Sequence, residues 1–241
     1  SKAVSSFRSS AIRDLMSIAI RPDMITFAGG MPGNDLFPIS DVENIFKQLP
    51  EKTKQDAFQY GPTTGYQPLL EELQKFLERK GFPVETNKLI ITTGSLQALN
   101  ILAKVFIDPG DIIVSENPSF IGAISAYRSY QADIRSVDMD KDGIMIKPLE
   151  EALKLNPKFV YVTPNFHNPA GLIYSRERRM QLLDVMNRTD IPLIEDDAYG
   201  DLYFDDKDKE LVTPLKVLSK REQMICYTGS FSKIFGPGMR L

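Results

Sequence analysis

Short apolar segments alternate with longer amphipathic segments from residue 85 to the end of the chain. The short segments are rich in β-branched residues and predict strands at residues 89–92, 112–114, 134–137, 159–163, 193–195 and 224–228. The longer segments predict helices at residues 96–107, 121–130 and 176–188. Strands separated by helices of this length are typical of a mostly parallel sheet with helices on both faces. The pattern therefore predicts an α/β fold.

The first 85 residues follow a different pattern. Apolar side chains in residues 69–77 fall on one face of a helix that Gly81 closes. Residues 28–33, Ala-Gly-Gly-Met-Pro-Gly, can continue neither a strand nor a helix and predict a loop. Later in the chain, the mixed charges of residues 205–210 predict a solvated surface loop.

Composition and charge exclude several classes of function. The chain is 42% hydrophobic and 25% charged, as in soluble globular proteins. A net charge of −3 provides no basic surface for nucleic acid or membrane. No segment approaches the roughly 18 apolar residues of a membrane helix, and the N-terminus lacks the apolar core of a secretory signal. Cys226 is the single cysteine, which fits a reducing compartment, so we expect a cytoplasmic location.

Histidine is equally scarce, and His167 is the only one. One His and one Cys argue against a zinc site, which normally uses three or four nitrogen or sulfur ligands. A Ser-His-Asp hydrolase would need His167, yet the chain has no G-x-S-x-G motif. The chain also starts without Met and stops at residues 238–241 without a closing helix, so we expect a fragment of a longer protein.

A segment rich in hydroxyls and glycine follows the last predicted strand. It reads Gly229-Ser230-Phe231-Ser232-Lys233, with Arg240 seven residues after the lysine. Ligands of α/β folds bind at the carboxyl ends of the strands. Hydroxyls, accessible backbone N–H groups and an arginine are suited to an anion, and a neutral lysine beside them could attack a carbonyl carbon. A lysine at this position, taken alone, is more typical of a surface loop. The hydroxyls, glycines and arginine around Lys233 favour an anion site instead.

A carboxylate-rich segment, Glu195-Asp196-Asp197-Ala198-Tyr199, ends the preceding strand. A carboxylate buried there needs a cationic partner, and a protonated pyridine nitrogen would be one. In a helical turn, Asp196 and Tyr199 would share a face and could address opposite edges of one ring. An aspartate that caps a helix is the alternative interpretation.

Two other strand ends carry polar residues. Residues 92–97, Thr-Thr-Gly-Ser-Leu-Gln, run into a helix whose free N–H groups could bind phosphate, although Ser95 would serve equally well as a simple N-cap. The spacing matches neither a P-loop nor a Rossmann motif. Asn168 precedes Pro169 and is held extended, so its amide can face the crevice at the carboxyl ends of the strands, where ligands of α/β folds bind. We interpret His167 as a packing residue of that loop.

These four segments, in this order, resemble the fold-type I pyridoxal-phosphate (PLP) enzymes of the aspartate aminotransferase superfamily, over about residues 11–241. The resemblance implies PLP as the cofactor and Lys233 as both its Schiff-base lysine and the general base. It implies that Asp196 pairs with the pyridine nitrogen and that Tyr199 and Asn168 bond the ring hydroxyl. The residues implied to hold the phosphate are Ser95, the backbone N–H of Leu96, Ser230, Ser232, Arg240 and, from the neighbouring subunit of a homodimer, Tyr60.

The N-terminal segments narrow the resemblance to one branch. Residues 10–13, Ser-Ala-Ile-Arg, and 27–32, Phe-Ala-Gly-Gly-Met-Pro, are similar to the branch of 2-aminoadipate, kynurenine and related broad-range aminotransferases. This implies an arm and loop at 1–40 that cover the substrate, with Arg13, Gly30 and Asn168 as substrate contacts. Residues 41–241 would form the large PLP-binding domain, cut off before a C-terminal small domain. Phe120 stands where this branch usually has the tyrosine that stacks on the ring, so stacking is kept and a phenolic hydrogen bond is lost.

The implied reaction moves an amino group from an L-amino acid, 2-aminoadipate-like, aromatic or of broader range, to a 2-oxo acid such as 2-oxoglutarate. Two alternatives stay open. The same domain resembles the effector half of winged-helix transcription regulators, which need a basic DNA-binding segment upstream. Ser230-x-x-Lys233 also matches the S-x-x-K of penicillin-binding acyl enzymes, but their S-D-N and K-T-G elements are absent from the sequence.

Overall fold

A six-stranded sheet forms the centre of the protein. The computed structural model describes residue 25 and residues 30–241. The strands are β1 Ile112–Asn117, β2 Asp133–Asp140, β3 Gly143–Ile144, β4 Val160–Val162, β5 Leu193–Asp197 and β6 Ile225–Gly229, in the order β3-β2-β1-β4-β5-β6. All neighbouring pairs are parallel except β2 and β3. The predicted α/β fold with a mostly parallel sheet is confirmed.

Helices connect the strands and precede the sheet. In the described residues they are α1 Ile39–Gln48, α2 Glu51–Asp56, α3 Gln67–Arg79, α4 Ser95–Phe106, α5 Ile121–Ser129, α6 Ile146–Leu153, α7 Arg176–Met186 and α8 Leu215–Leu218. Short 3-10 helices lie at Asn34–Leu36, Asp206–Glu210, Glu222–Met224 and Pro237–Met239. None of the helices described combines the length and apolar character needed to cross a bilayer.

Two apolar clusters cover the two faces of the sheet, because successive strand residues point to opposite sides. On one face, Val114, Val160 and Leu193 pack with apolar residues of α6, α7 and α8. On the other, their neighbours Ile113, Tyr161 and Ile194 pack with residues of α4 and α5. The helices therefore lie on both faces of the sheet, as the sequence predicts, and the central strands lie between the two layers of helices.

Two predicted elements differ in the structure. Residues 89–92 join no strand of the described sheet; the Ile91 N–H donates to the Thr64 carbonyl instead. A groove of about 690 Å³ is lined by residues of this segment and of β6. The predicted loop at 205–210 is a 3-10 helix from Asp206 to Glu210, although it lies at the surface as expected.

We expect Leu182→Ala to lower the free energy of unfolding by about 2–5 kcal/mol, because its side chain is fully buried in α7 and its removal leaves a cavity. Met180 lies on the same helix and is half exposed, so Met180→Ala is the matched control and should cost no more than about 1 kcal/mol. Denaturant unfolding followed by circular dichroism measures both. Equal losses in the two variants would contradict the assigned inner face of α7.

Candidate active site

The segments that carry the predicted site residues follow the carboxyl ends of three strands. β4, β5 and β6 are parallel neighbours, so their carboxyl ends lie side by side. The loop with Asn168 follows β4, the bend with Tyr199 follows β5, and the segment with Lys233 follows β6. Strand pairing thus gathers three chemically active segments that are distant in sequence.

Asp196 is buried near the end of β5 and accepts two hydrogen bonds from hydroxyls. Its Oδ2 lies 2.8 Å from the Tyr161 hydroxyl, and its Oδ1 lies 2.9 Å from Thr228 Oγ1. Thr228 is the register partner of Asp196 across β5 and β6. Tyr161 pairs with Ile194, two residues before Asp196 and on the same face of the sheet. The register of the sheet therefore determines which hydroxyls reach the carboxylate.

Burial is the main influence on the ionisation of Asp196. It raises the pKa of this carboxyl to about 6, while the hydrogen bonds from Tyr161 and Thr228 act in the opposite direction. The negative charges of Asp197 and Glu116 add to the increase. Within residues 30–241 no Lys, Arg or His forms an ion pair with Asp196. A buried carboxylate in this condition is suited to a cationic ligand group.

The two acidic neighbours of Asp196 point to the opposite face of the sheet. The Glu195 carboxylate accepts the N–H groups of Leu215 and Lys216 at 2.6 and 3.0 Å, at the start of α8, and burial raises its pKa to about 7. The Asp197 carboxylate accepts from the Tyr227 hydroxyl and the Gly200 N–H. Both side chains therefore have their partners on that face, whereas Asp196 lies on the other.

An amide, a phenol and an amine converge beyond the carboxyl ends of β4, β5 and β6. Asn168 Nδ2 lies 3.5 Å from the Tyr199 hydroxyl, and Lys233 Nζ lies 5.7 Å from the centre of the Tyr199 ring. Lys233 Nζ also donates to the Gly30 carbonyl at 2.9 Å. The helical turn expected for Tyr199 is wrong, since residues 198–200 form a bend that the Asp197 carboxylate closes. The bend still brings Tyr199 to Asn168 and Lys233.

Ser230 and Ser232 lie side by side, and Ser230 contacts the residue that follows Arg240. The two serine hydroxyls are 2.9 Å apart, and Ser230 Oγ is 3.1 Å from the carbonyl oxygen of Leu241, next to Arg240. Arg240 Nη2 donates to the Thr93 carbonyl at 2.9 Å. This contact joins the segment after β6 to the residues that precede α4.

The start of α4 lies beside Arg240. Gly94, with a φ of 80°, is its N-cap, and a Cβ at this position would lie 2.9 Å from Arg240 Nη2. Ser95 is therefore the first helical residue and not the cap. The first N–H groups of a helix, including those of Ser95 and Leu96, have no intrahelical acceptor. With the adjacent guanidinium they suit the oxygens of a phosphate.

The three remaining predicted residues are Phe120, Tyr60 and Arg13. The Phe120 ring packs over Gly122, where a Cβ would lie 2.6 Å from the ring and 3.3 Å from Leu96 Cδ1. Phe120 is therefore beside the start of α4. Tyr60 is fully exposed, and its backbone N–H donates to the side chain of Gln59. Arg13 lies outside the described residues.

Sequence reasoning missed Tyr161 and Thr228, which contact Asp196 directly. Thr228 is the last residue of the predicted strand at 224–228 and Tyr161 lies within the predicted strand at 159–163, so both positions are visible in the sequence as strand residues. Their role depends on strand order and register. The two hydroxyls lie in the strands on either side of β5, and the sequence shows a hydroxyl in each predicted strand but not its place beside Asp196.

Tyr161→Phe should destabilise the cofactor-free protein in a pH-dependent way. The pKa of Asp196 is raised above its usual 3.8, so its ionisation costs stability as pH rises through the window from about 4 to about 6. Loss of the Tyr161 hydrogen bond increases that cost only where the folded protein holds the anion. We expect a loss of about 1.5–3 kcal/mol at pH 7.5 and a clearly smaller one at pH 4.5, measured by urea unfolding.

Tyr127→Phe is the matched control for this experiment. The Tyr127 hydroxyl is buried without a hydrogen-bond partner in the described residues, and its ring packs against that of Tyr161. Its removal should leave stability unchanged or improve it at both pH values. A Tyr161→Phe loss that does not vary with pH would contradict the role assigned to this hydroxyl.

Comparison with known proteins agrees with this geometry. The model of the family described as aminotransferase class I and II matches residues 23–241. Aromatic-amino-acid aminotransferase 1 of Thermococcus litoralis is 36% identical over 97% of this chain and 57% of its own length. The 2-aminoadipate transaminase of Thermus thermophilus is 35% identical over 100% of this chain and 59% of its own.

A solved structure and a relative of another kind extend the comparison. Pyrococcus horikoshii kynurenine aminotransferase, in complex with PMP, superposes with a TM-score of 0.90 at 36% identity, over 100% of this chain and 60% of that one. An uncharacterized HTH-type transcriptional regulator of Bacillus subtilis is 30% identical over 97% of this chain and 47% of its own length. The chain thus spans less than two thirds of the length of these relatives. By its sequence and by its fold, the chain belongs to the aminotransferase class I and II family.

Proposed function

We propose that the protein is a PLP-dependent aminotransferase whose cofactor site is built by residues of this chain. The observation that carries the proposal is Asp196, a buried carboxylate without a cationic partner in the described residues. Asp196 would share one ligand with the Lys233 amine, which follows the neighbouring strand β6, and with the free N–H groups at the start of α4. A pyridine nitrogen, a carbonyl carbon and a phosphate are the groups that these three features suit.

Each part of the cofactor has a complementary group. Asp196 would hold the protonated ring nitrogen, while Tyr199 and Asn168 would bond the ring oxygen, since their polar atoms lie within 3.5 Å of each other. Phe120 would contact a face of the ring. The phosphate would be bound by the groups gathered at the start of α4, namely Ser95, the Leu96 N–H, Ser230, Ser232 and Arg240. Lys233 would bind the cofactor covalently.

The chain's own residues account for the proton transfers. PLP, when bound, withdraws electrons from the α-carbon of an amino acid and carries the amino group between substrates. The Lys233 amine would remove the α-proton as general base and return a proton in the reverse direction. Its present acceptor, the Gly30 carbonyl, lies in the N-terminal loop, so this contact must break when the amine acts. Asp196 as an anion would keep the ring nitrogen protonated.

The substrates are proposed from the relatives. An L-amino acid of 2-aminoadipate-like, aromatic or broader type would be the donor, and a 2-oxo acid such as 2-oxoglutarate the acceptor. The names of the relatives support this range. Residues 1–40, with Arg13 and Gly30, would cover the substrate, with Asn168 beside it, while 41–241 form the large domain. The Lys233–Gly30 contact supports the placement of this loop.

We also propose a cytoplasmic homodimer in which Tyr60 reaches the phosphate of the neighbouring subunit. Two observations support the dimer. The Tyr60 side chain is fully exposed, although aromatic side chains are usually at least partly covered. Helix α1 also exposes apolar side chains, Ile39, Ile45 and Phe46, on the described surface.

A PLP-binding effector domain of a transcription regulator is the second candidate. The similarity to an HTH-type regulator favours it, and a regulator can bind the cofactor with the same lysine and aspartate. Turnover distinguishes the two functions. Steady conversion of an amino acid and a 2-oxo acid by the full-length protein supports the enzyme, whereas cofactor binding without turnover, together with specific DNA binding, supports the regulator.

Borohydride treatment of the full-length protein with bound PLP should bleach its visible absorption band and fix a pyridoxyl group on Lys233, detected by peptide mass spectrometry. Lys233→Ala should bleach without gaining that mass and should lower turnover at least about 10³-fold, since it removes the general base and the covalent anchor. Exposed Lys220→Ala is the control and should behave as the wild type. A pyridoxyl group on another lysine would overturn the assignment.

Asp196→Asn should slow proton transfer far more than it weakens cofactor binding. The amide cannot hold the ring nitrogen protonated, so we expect α-proton exchange of the bound amino acid to fall about 10²–10³-fold, with a much smaller change in PLP affinity. Exchange with deuterated water, followed by NMR, measures the first quantity. Asp206→Asn, at the exposed 3-10 helix, is the control. If PLP affinity and the rate of α-proton exchange fell to the same extent, Asp196 would serve cofactor binding and not proton transfer.

A further inference from the structure

Glu116 is a second buried carboxylate, and it lies near the end of β1. Its Oε2 accepts the Thr163 N–H at 2.9 Å and contacts His167 Nε2 at 3.1 Å, while the Tyr174 hydroxyl donates to Oε1. The His167 side chain is also fully buried. Three donors on one buried carboxylate make this a fully hydrogen-bonded cluster, and none of its members belongs to the proposed cofactor site.

The hydrogen bonds of His167 determine its tautomer. The Ala170 N–H donates to His167 Nδ1 at 3.1 Å, so Nδ1 carries no proton. The ring proton is therefore on Nε2, which donates to Glu116. One ring thus joins the loop after β4 to the end of β1, with a donor on one side and an acceptor on the other.

The loop that this ring holds is the one that presents Asn168. The His167 N–H donates to the Leu172 carbonyl at 2.8 Å, and the Gly171 N–H donates to the His167 carbonyl at 2.6 Å. Asn168 is the next residue in the chain, half-buried, with its amide directed to the Tyr199 hydroxyl. Because His167 is fixed by its backbone and by both ring nitrogens, the position of the Asn168 backbone is fixed as well.

We propose that Glu116 and His167 form a positioning pair that holds the Asn168 amide toward the ring oxygen of the cofactor. The proposal rests on the proposed function and adds residues that do not contact the cofactor. Loss of the Glu116 contact would free the His167 ring and let the loop shift. The amide of Asn168 would then leave the ring oxygen, while the lysine and the phosphate contacts would be unaffected.

Two replacements of His167 separate its two ring contacts. The amide nitrogen of Gln can occupy the place of Nε2 and donate to Glu116, whereas the shorter Asn can reach only the place of Nδ1. In the full-length protein, His167→Asn should weaken PLP binding about threefold to tenfold, the effect of losing one hydrogen bond. His167→Gln should remain within about twofold of the wild type. The dissociation constant is measured by absorbance titration of the cofactor-free protein.

A double-mutant cycle distinguishes positioning from a general effect on stability. Asn168→Ala should weaken PLP binding to a similar extent, and His167→Asn should add nothing further in that background. Tyr174→Phe removes another donor of Glu116 and keeps both ring contacts of His167, so it should lower the melting temperature and leave PLP affinity unchanged. If His167→Asn does not fold, Glu116→Gln takes its place in the same cycle.

The outcomes separate this inference from the proposed function. Additive losses for His167→Asn and Asn168→Ala would overturn the positioning role, and so would a loss of affinity in Tyr174→Phe as large as that in His167→Asn. A wild-type protein that binds no PLP through Lys233 would instead overturn the proposed function.

Discussion

The burial of the Asp196 carboxylate is the constraint on which the site depends. A carboxyl whose pKa is raised from 3.8 to about 6 costs the folded protein about 3 kcal/mol at neutral pH, a large share of the stability of a typical domain. Tyr161 and Thr228 reduce this cost without removing it, because hydroxyl groups carry no positive charge. A ligand with a protonated nitrogen would supply the positive charge that the buried carboxylate lacks. The free energy that burial of the carboxylate costs the ligand-free protein would then contribute to the affinity for that ligand.

The parallel sheet makes this arrangement possible. Because side chains alternate along β5, Asp196 lies on one face of the sheet while Glu195 and Asp197 lie on the other. There they accept backbone N–H groups and the Tyr227 hydroxyl. Three consecutive acids can therefore be buried in one strand, each with its own hydrogen-bond donors. A shift of one residue in register would exchange these roles.

Much of the fold and the composition of the site follow from the sequence. The parallel strands, the flanking helices and the grouping of Asn168, Tyr199 and Lys233 were predictable, because parallel strands place their carboxyl ends together. The contacts of Asp196 were not, since they depend on which residues of β4 and β6 lie opposite it. Residues 89–92 have the composition of a strand, yet composition supplies no partner, and in the described residues the segment forms none.

Asp196 and Glu116 show why burial alone does not identify a functional acid. Both carboxylates are buried near strand ends, and they are linked through Thr163, whose N–H reaches Glu116 and whose hydroxyl lies 3.4 Å from that of Tyr161. Glu116 has three donors, including an imidazole, and is complete without a ligand. Asp196 has two donors, both hydroxyls, and no cationic partner among the described residues. The number and kind of donors therefore distinguish the acid that organises the loop from the acid that would pair with a cation.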